Sequence, residues 1–274
     1  MSSITAAPAR MRAPSWRRVK AFATSTWLIL AFAVAWQLLA VKLNVFYFPP
    51  LTDIFRHGYE MWFSGSLHTL GLTAGFFEDV LPSLERLFAG LALAVVVGVA
   101  AGVVIGLSPV ADDMLDPTLQ FARSVPPVAL IPIFMLLFGI GTQMRIILIF
   151  FSSVWPILLN VVAAVRSIEP LFHDTATAFN IRFRDRITRI VLPAAMPLAL
   201  AGLRVSTALA LIVMVLSEMV AATSGIGYRL LFSQQQFNLG DMWACVVLLG
   251  IIGYLLNLGV AGLEAWLLRW QEDR

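Results

Sequence analysis

Hydrophobic positions in this chain gather into long unbroken runs rather than short alternating stretches. Six such runs lie around residues 22–42, 84–107, 126–141, 144–165, 195–221 and 242–268. A helix needs about 20 consecutive apolar residues to cross the hydrocarbon of a bilayer, and five of the six supply them. The third is shorter and is broken by Pro126, Pro127 and Pro132, so the pattern also admits five full crossings plus one irregular one. Either way the chain reads as an all-α integral membrane protein, with no soluble domain between the runs.

One stretch breaks the pattern. Residues 170–193 read PLFHDTATAFNIRFRDRITRIVLP. Arg182, Arg184, Asp185, Arg186 and Arg189 would each cost roughly 2.5–3.5 kcal/mol at the bilayer centre, so this island lies on or beyond the membrane face and is not a seventh crossing. Pro170 suits a first helical position, where a missing N–H costs nothing. Leu171, Thr175 and Ala178, with Phe172 and Phe179, recur at helical spacing, and Asn180 stands where a left-handed residue can end the helix. Beyond it, Phe183, Ile187, Ile190 and Val191 share one helical face and Arg182, Arg186 and Arg189 the opposite one. The island is therefore expected to form a short helix, a turn, and an amphipathic interfacial helix leading into the fifth crossing.

Composition supports the membrane class: 59% of the residues are hydrophobic and 13% charged. Net charge is +3, but the basic residues are distributed by topology, which argues against nucleic acid as a partner. With both termini cytoplasmic, thirteen of the 19 Lys and Arg fall inside, among them Arg10, Arg12, Arg17, Arg18 and Lys20 of the tail and the four arginines of the island. The positive-inside rule thus puts the island in the cytoplasm. The expected organisation is a basic, disordered tail over 1–20, a first crossing and external segment over 21–80, and a core over 81–270 that carries the island within a loop at 168–193.

From Asp174 onward the island resembles the loop that marks permease subunits of ATP-binding-cassette (ABC) importers: Glu-Ala-Ala, three residues, Gly, and a spacer ending in Leu-Pro. Here the positions hold Asp174-Thr175-Ala176, Asn180 and Leu192-Pro193; the three departures keep an acid, a small residue and tolerance of the left-handed conformation. The likeness continues from about Leu81 to the C-terminus, through Arg123-Ser124-Val125-Pro126-Pro127, Trp155-Pro156, Ala201-Gly202-Leu203-Arg204, Ser217-Glu218-Met219 and Gly225-Ile226-Gly227-Tyr228. These segments are similar to the nitrate, sulfonate, taurine and bicarbonate branch of such permeases. The resemblance implies a type I importer fold and a multi-pass protein of the bacterial plasma (inner) membrane. It also implies a second permease copy, a cytosolic ATPase dimer holding ATP and Mg, and an extracytoplasmic binding protein that delivers a small anionic solute. Leu171, Phe172, Asp174, Thr175, Ala176, Phe179 and Asn180 would then form the helix that couples to the ATPase.

Other features fit this reading. Neither lysine, Lys20 or Lys42, sits in a GxxxxGK[ST] loop, so the chain should bind no nucleotide or other cofactor itself. No HExxH or GxSxG motif supports a membrane-embedded enzyme, and no inverted repeat supports a secondary transporter. The three histidines are scattered, which suggests no metal site, and Cys245 lies alone within an apolar run. Gly98, Gly102 and Gly106 form a glycine face for close helix packing, within one chain or between two. Polar residues within spans are functional candidates: Asn160 and Arg204 for the translocation path, and Glu218 either for the external mouth or as a carboxyl bonded to neighbouring helix ends.

Overall fold

The computed structural model describes residues 15–269, with side chains from Trp27 onward except those of Ile29, Leu67, Pro170, His173, Asp174 and Ala221. The chain divides into two compact units, Met1–Arg56 and His57–Arg274. In the first, α1 (Ser15–Leu43) is followed by α2 (Leu51–Trp62), which runs on into the second unit. Trp36 of α1 stacks on Phe48 with ring centroids 4.4 Å apart and donates Nε1–H to the Pro49 carbonyl. Gln37 and Thr52 exchange two further hydrogen bonds. The expected first crossing, 22–42, lies within α1; the side chains of its first five residues, and the tail over 1–14, lie outside the described residues.

The second unit holds α3 (Leu81–Leu107), α4 (Pro109–Ser124), α5 (Ile131–Phe138), α6 (Thr142–Arg166), α7 (Pro170–Ala178), α8 (Phe183–Arg186), α9 (Leu192–Ala221), α10 (Ile226–Gln235) and α11 (Leu239–Leu267). Four helices among the described residues are long and apolar enough to cross a membrane: Phe76–Leu107, Thr142–Arg166, Phe183–Val220 and Leu239–Leu267.

Their arrangement follows from the glycine face of α3. A Cβ built on Gly90 would lie 2.6 Å from Ile149, on Gly98 3.0 Å from Ile157, and on Gly102 and Gly106 2.7 Å from Val161 and Val165. The glycines let α6 approach α3 almost backbone to backbone, its β-branched side chains filling the space a side chain would take. The residue numbers of these touching pairs rise together along the two helices, so α3 and α6 run parallel. A chain that leaves α3 at one face and enters α6 at the other must cross once between them. That return is made by Pro109–Ser124 and Pro127–Phe138, bent by 84° at the break.

Helix α9 runs antiparallel to α6: Gly202 abuts the Pro156 carbonyl, and Ser206 Oγ donates to the Ser153 carbonyl at 2.6 Å. Helix α11 is antiparallel to α9, with Leu211 against Gly253 and Arg204 paired to Glu264. Leu107, Arg166, α7, the start of α9 and the end of α11 therefore share one face of the bundle.

Three boundaries differ from the sequence expectation. The second crossing begins at Phe76, not residue 84, because a π-turn (Phe76–Val80) runs directly into α3. The third is a bent pair that starts at Pro109 rather than a short run from 126; Ser108 caps α4 by accepting from the Ala111 N–H. The interfacial helix expected over 181–193 is not separate from the fifth crossing. A π-turn (Ile187–Val191), in which the Leu192 N–H reaches back to the Ile187 carbonyl, carries α8 into α9, and Pro193, which has no N–H for the regular helical ladder, follows directly on that widened turn.

The seam makes a direct prediction. Gly102→Ala should destabilise the detergent-solubilised protein by about 1–3 kcal/mol, the usual cost of overpacking, and Val161→Ala should restore most of the loss. Gly259→Ala, at a position with nothing within 4 Å of the added carbon, should leave the thermal unfolding midpoint unchanged.

Candidate functional site

Two polar assemblies sit at opposite faces of the bundle. The first is the island. Helix α7 has Pro170 in its first turn and ends in a Schellman motif: Ile181 N–H donates to the Ala176 carbonyl at 2.9 Å and Asn180 N–H to the Thr177 carbonyl at 3.0 Å. Asn180 closes it in the left-handed conformation, with φ +53°, the role its residue type suits after Gly. Leu171, Phe172 and Phe179 are 68%, 54% and 77% exposed. Leu171 and Phe172 share one face of the nine-residue helix with Thr175, whose hydroxyl donates to the Leu171 carbonyl, and Phe179 follows at its C-terminal cap.

Ala176 differs from the others. It is buried, 2% exposed, so its small side chain serves the packing of α7 on its own chain rather than an outward contact. The side chain of Asp174 lies outside the described residues. At the base of the island Arg166, on the last turn of α6, pairs with buried Asp112 of α4. This pair ties the entry to α7 onto the bundle.

The second assembly surrounds Glu218 near the end of α9. Its side chain is fully buried. Arg86 Nη1 donates to Oε1 at 2.6 Å, Ser83 Oγ lies 2.8 and 2.9 Å from the two carboxylate oxygens, and the Gly227 N–H donates to Oε2 at 3.0 Å. Arg86 also donates to the Ser224 carbonyl and hydroxyl, while Ser83 Oγ accepts the Ile226 N–H. Gly225, with φ +120°, passes so close that a Cβ there would lie 2.4 Å from the Glu218 carboxyl carbon. The start of α3, the end of α9 and the first turn of α10 thus converge on one carboxylate.

Beside it Arg229 lies 3.9 Å from Asp79 and 3.8 Å from Asp241, and His57 Nδ1 is 2.9 Å from Asp241. Among the described residues no group of three or more His, Cys, Asp or Glu is arranged to hold a metal ion.

The remaining candidates are dispersed. Asn160 is partly buried and donates to the Pro156 carbonyl at 2.7 Å, one turn back on its own helix. Arg204 pairs with Glu264 on the outer surface of α9 and α11. Gly98, Gly102 and Gly106 all pack within this chain, against α6. Sequence reading missed the partners of Glu218. The available signal was charge at matching depth: Arg86 and Glu218 stand near the same end of their spans, and a buried charge in a membrane requires a counter-charge.

Removing one member of a buried ion pair leaves the other uncompensated, at a cost of roughly 3–5 kcal/mol. Glu218→Gln should accordingly lower thermal stability sharply. The double variant Arg86→Met with Glu218→Met should recover most of that loss, as a double-mutant cycle on the solubilised protein would read.

Comparison with known proteins agrees with this architecture. Residues 94–272 match the family model described as the binding-protein-dependent transport system inner membrane component. The bicarbonate transport system permease protein CmpB of Synechococcus elongatus is 31% identical over 88% of this chain and 87% of its own length. The nitrate import permease protein NrtB of the same species is 28% identical over 94% of each chain, and the taurine transport system permease protein TauC of Escherichia coli 29% identical over 74% and 73%. Among solved structures, a chain of the inward-facing MetNI methionine ABC transporter superposes with TM-score 0.58 at 20% identity, covering 69% of this chain and 94% of its own; that likeness concerns the fold alone. With a crossing pattern, an island and a family match that coincide, the chain belongs to the binding-protein-dependent transport system inner membrane components, as the non-enzymatic, multi-pass permease subunit of a type I ABC importer.

Proposed function

We propose that this permease pairs with a second copy of itself and that a cytosolic ATPase dimer, which binds ATP and Mg, grips each copy through α7. An extracytoplasmic binding protein delivers a small anion to the opposite face. The face carrying α7 is cytoplasmic because the island's four arginines, Arg166 and Arg269 all lie at that face, and the basic residues of the N-terminal tail argue for a cytoplasmic N-terminus as well. The solute class follows from the relatives, whose names specify bicarbonate, nitrate and taurine. Each of these presents a compact oxyanion group.

The observation that carries the proposal is the exposed apolar stripe of α7. Leu171, Phe172 and Phe179 stand out from a short helix on a polar island, where the protein's own core does not cover them. Such a patch marks a protein contact. Asp174 supplies an acceptor for donors on the ATPase, while Thr175 and Asn180 shape and close the helix. Movement of α7 passes to the bundle through the continuous helix from Phe183 into α9. Arg204 and Glu218 act as struts in this scheme through their ion pairs. Asn160, at the α6–α9 contact where Gly202 abuts it, is the candidate for the path.

Two substitutions test the coupling role. Asp174→Lys, and separately Leu171→Asp with Phe179→Asp, should abolish solute uptake and co-purification of the ATPase. Membrane insertion and thermal stability should be unchanged. Normal assembly of the complex by both variants would sink the assignment.

A further inference from the structure

Two apolar grooves on the second unit share a wall. One, of about 690 Å³, lies between α3, α9 and α11 and follows α3 from Leu84 to Val96. The other, of about 460 Å³, follows α3 from Val95 to Val104 and has Ile187 and Leu192 as its far wall. Because both include Val95 and Val96, they form one trough. At 1.5 Å per residue, Leu84 to Val104 spans about 30 Å, the thickness of a bilayer's hydrocarbon. The lower groove alone covers about half of that, the depth of one leaflet.

The lower end of the trough is charged. Ile187 begins the π-turn that joins α8 to α9, and Arg184, one helical turn earlier on the same side, is exposed, as is Arg182. Between residues 181 and 191 there are four arginines and one acid, Asp185. That acid is 3.3 Å from Arg189, so Arg182 and Arg184 do not share it within these contacts. An apolar channel one leaflet deep therefore opens onto excess positive charge at the membrane face.

We infer that this trough is a binding site for an anionic phospholipid. One acyl chain lies along Val95, Val99 and Val104 against Ile187 and Leu192, and the phosphate meets Arg184 and Arg182. A second copy of this chain suits the site poorly: a two-fold contact through the same face would bring two arginine-rich segments together at the same membrane depth. A zwitterionic lipid would fill the channel but leave the positive charge unneutralised. Each arginine near a membrane surface adds to the attraction for anionic lipid, and an extended side chain can reach the phosphate while its stem stays on apolar surface. A lipid bound here would brace the joint between α7 and α9. The inference rests on the proposed function only for the leaflet, the cytoplasmic one; binding itself is measured without the ATPase.

The test uses the full-length chain in detergent, titrated with phosphatidylglycerol or phosphatidylcholine and followed by native mass spectrometry. The wild-type protein should retain phosphatidylglycerol in preference to phosphatidylcholine. Arg182→Gln with Arg184→Gln should weaken phosphatidylglycerol binding about tenfold or more and erase the preference. Val96→Trp, at a position 66% exposed, should block the channel and reduce retention of both lipids without lowering the unfolding temperature. Equal retention of the two lipids by the wild type, or unchanged phosphatidylglycerol binding in both variants, would overturn the site. So would efficient disulfide cross-linking between copies through Val96→Cys in native membranes, since a protein would then occupy the channel. Failure of the coupling variants above would leave these lipid measurements unaffected, so the two proposals fall separately.

Discussion

Glycine at the contact positions of α3 sets how close α6 can come, and the rest of the bundle is arranged around that contact. With Ile149, Ile157, Val161 and Val165 pressed against Gly90, Gly98, Gly102 and Gly106, the two helices lie parallel over nearly their full length. In a membrane this packing cannot draw on the hydrophobic effect between helices, because lipid is as apolar as Leu; it relies on close van der Waals contact. A parallel pair also demands a return crossing between its members, which the broken α4–α5 segment provides. Helices α9 and α11 then add in antiparallel order.

Charge is handled oppositely at the two faces. At one, Glu218 is sealed among Arg86, Ser83 and the backbone of the loop into α10, so that three helix ends are held at a single point. Full hydrogen bonding is what makes a buried carboxylate tolerable there. At the other, Arg182, Arg184 and Arg189 of the island and Leu171, Phe172 and Phe179 of its first helical segment remain exposed. One face is thus closed by an ion-paired carboxylate, while the other presents an exposed helix. The π-turn at Ile187–Val191 matters to this contrast, because it joins the part of the island from Phe183 onward to the fifth crossing as one helix.

Much of this was legible in the chain itself. Run length and charge cost separated the crossings from the island, and Pro170 and Asn180 marked the two ends of α7 through their own backbone preferences. Those signals are local: an apolar run, a missing N–H and a tolerated left-handed φ need no distant partner to be read. Gly98, Gly102 and Gly106 announced a close contact in the same way.

Tertiary structure decided what depends on partners far away in sequence. Whether the glycine face met its own chain was settled by Val161 and Val165, some sixty residues on. Glu218 fitted an external mouth or a structural clamp equally well until Arg86 and Ser83 were brought within hydrogen-bond distance of it. Ala176, expected among the residues of the coupling helix, is turned inward because of how α7 lies on the bundle. The start of the bent crossing at Pro109 was likewise hidden, since α4 is too polar to register as a membrane run, and only the parallel course of α3 and α6 requires the chain to return there. A sequence therefore determines which segments can enter a membrane, because that cost is summed residue by residue; which groups meet inside it is fixed only when helices distant in the chain are packed side by side.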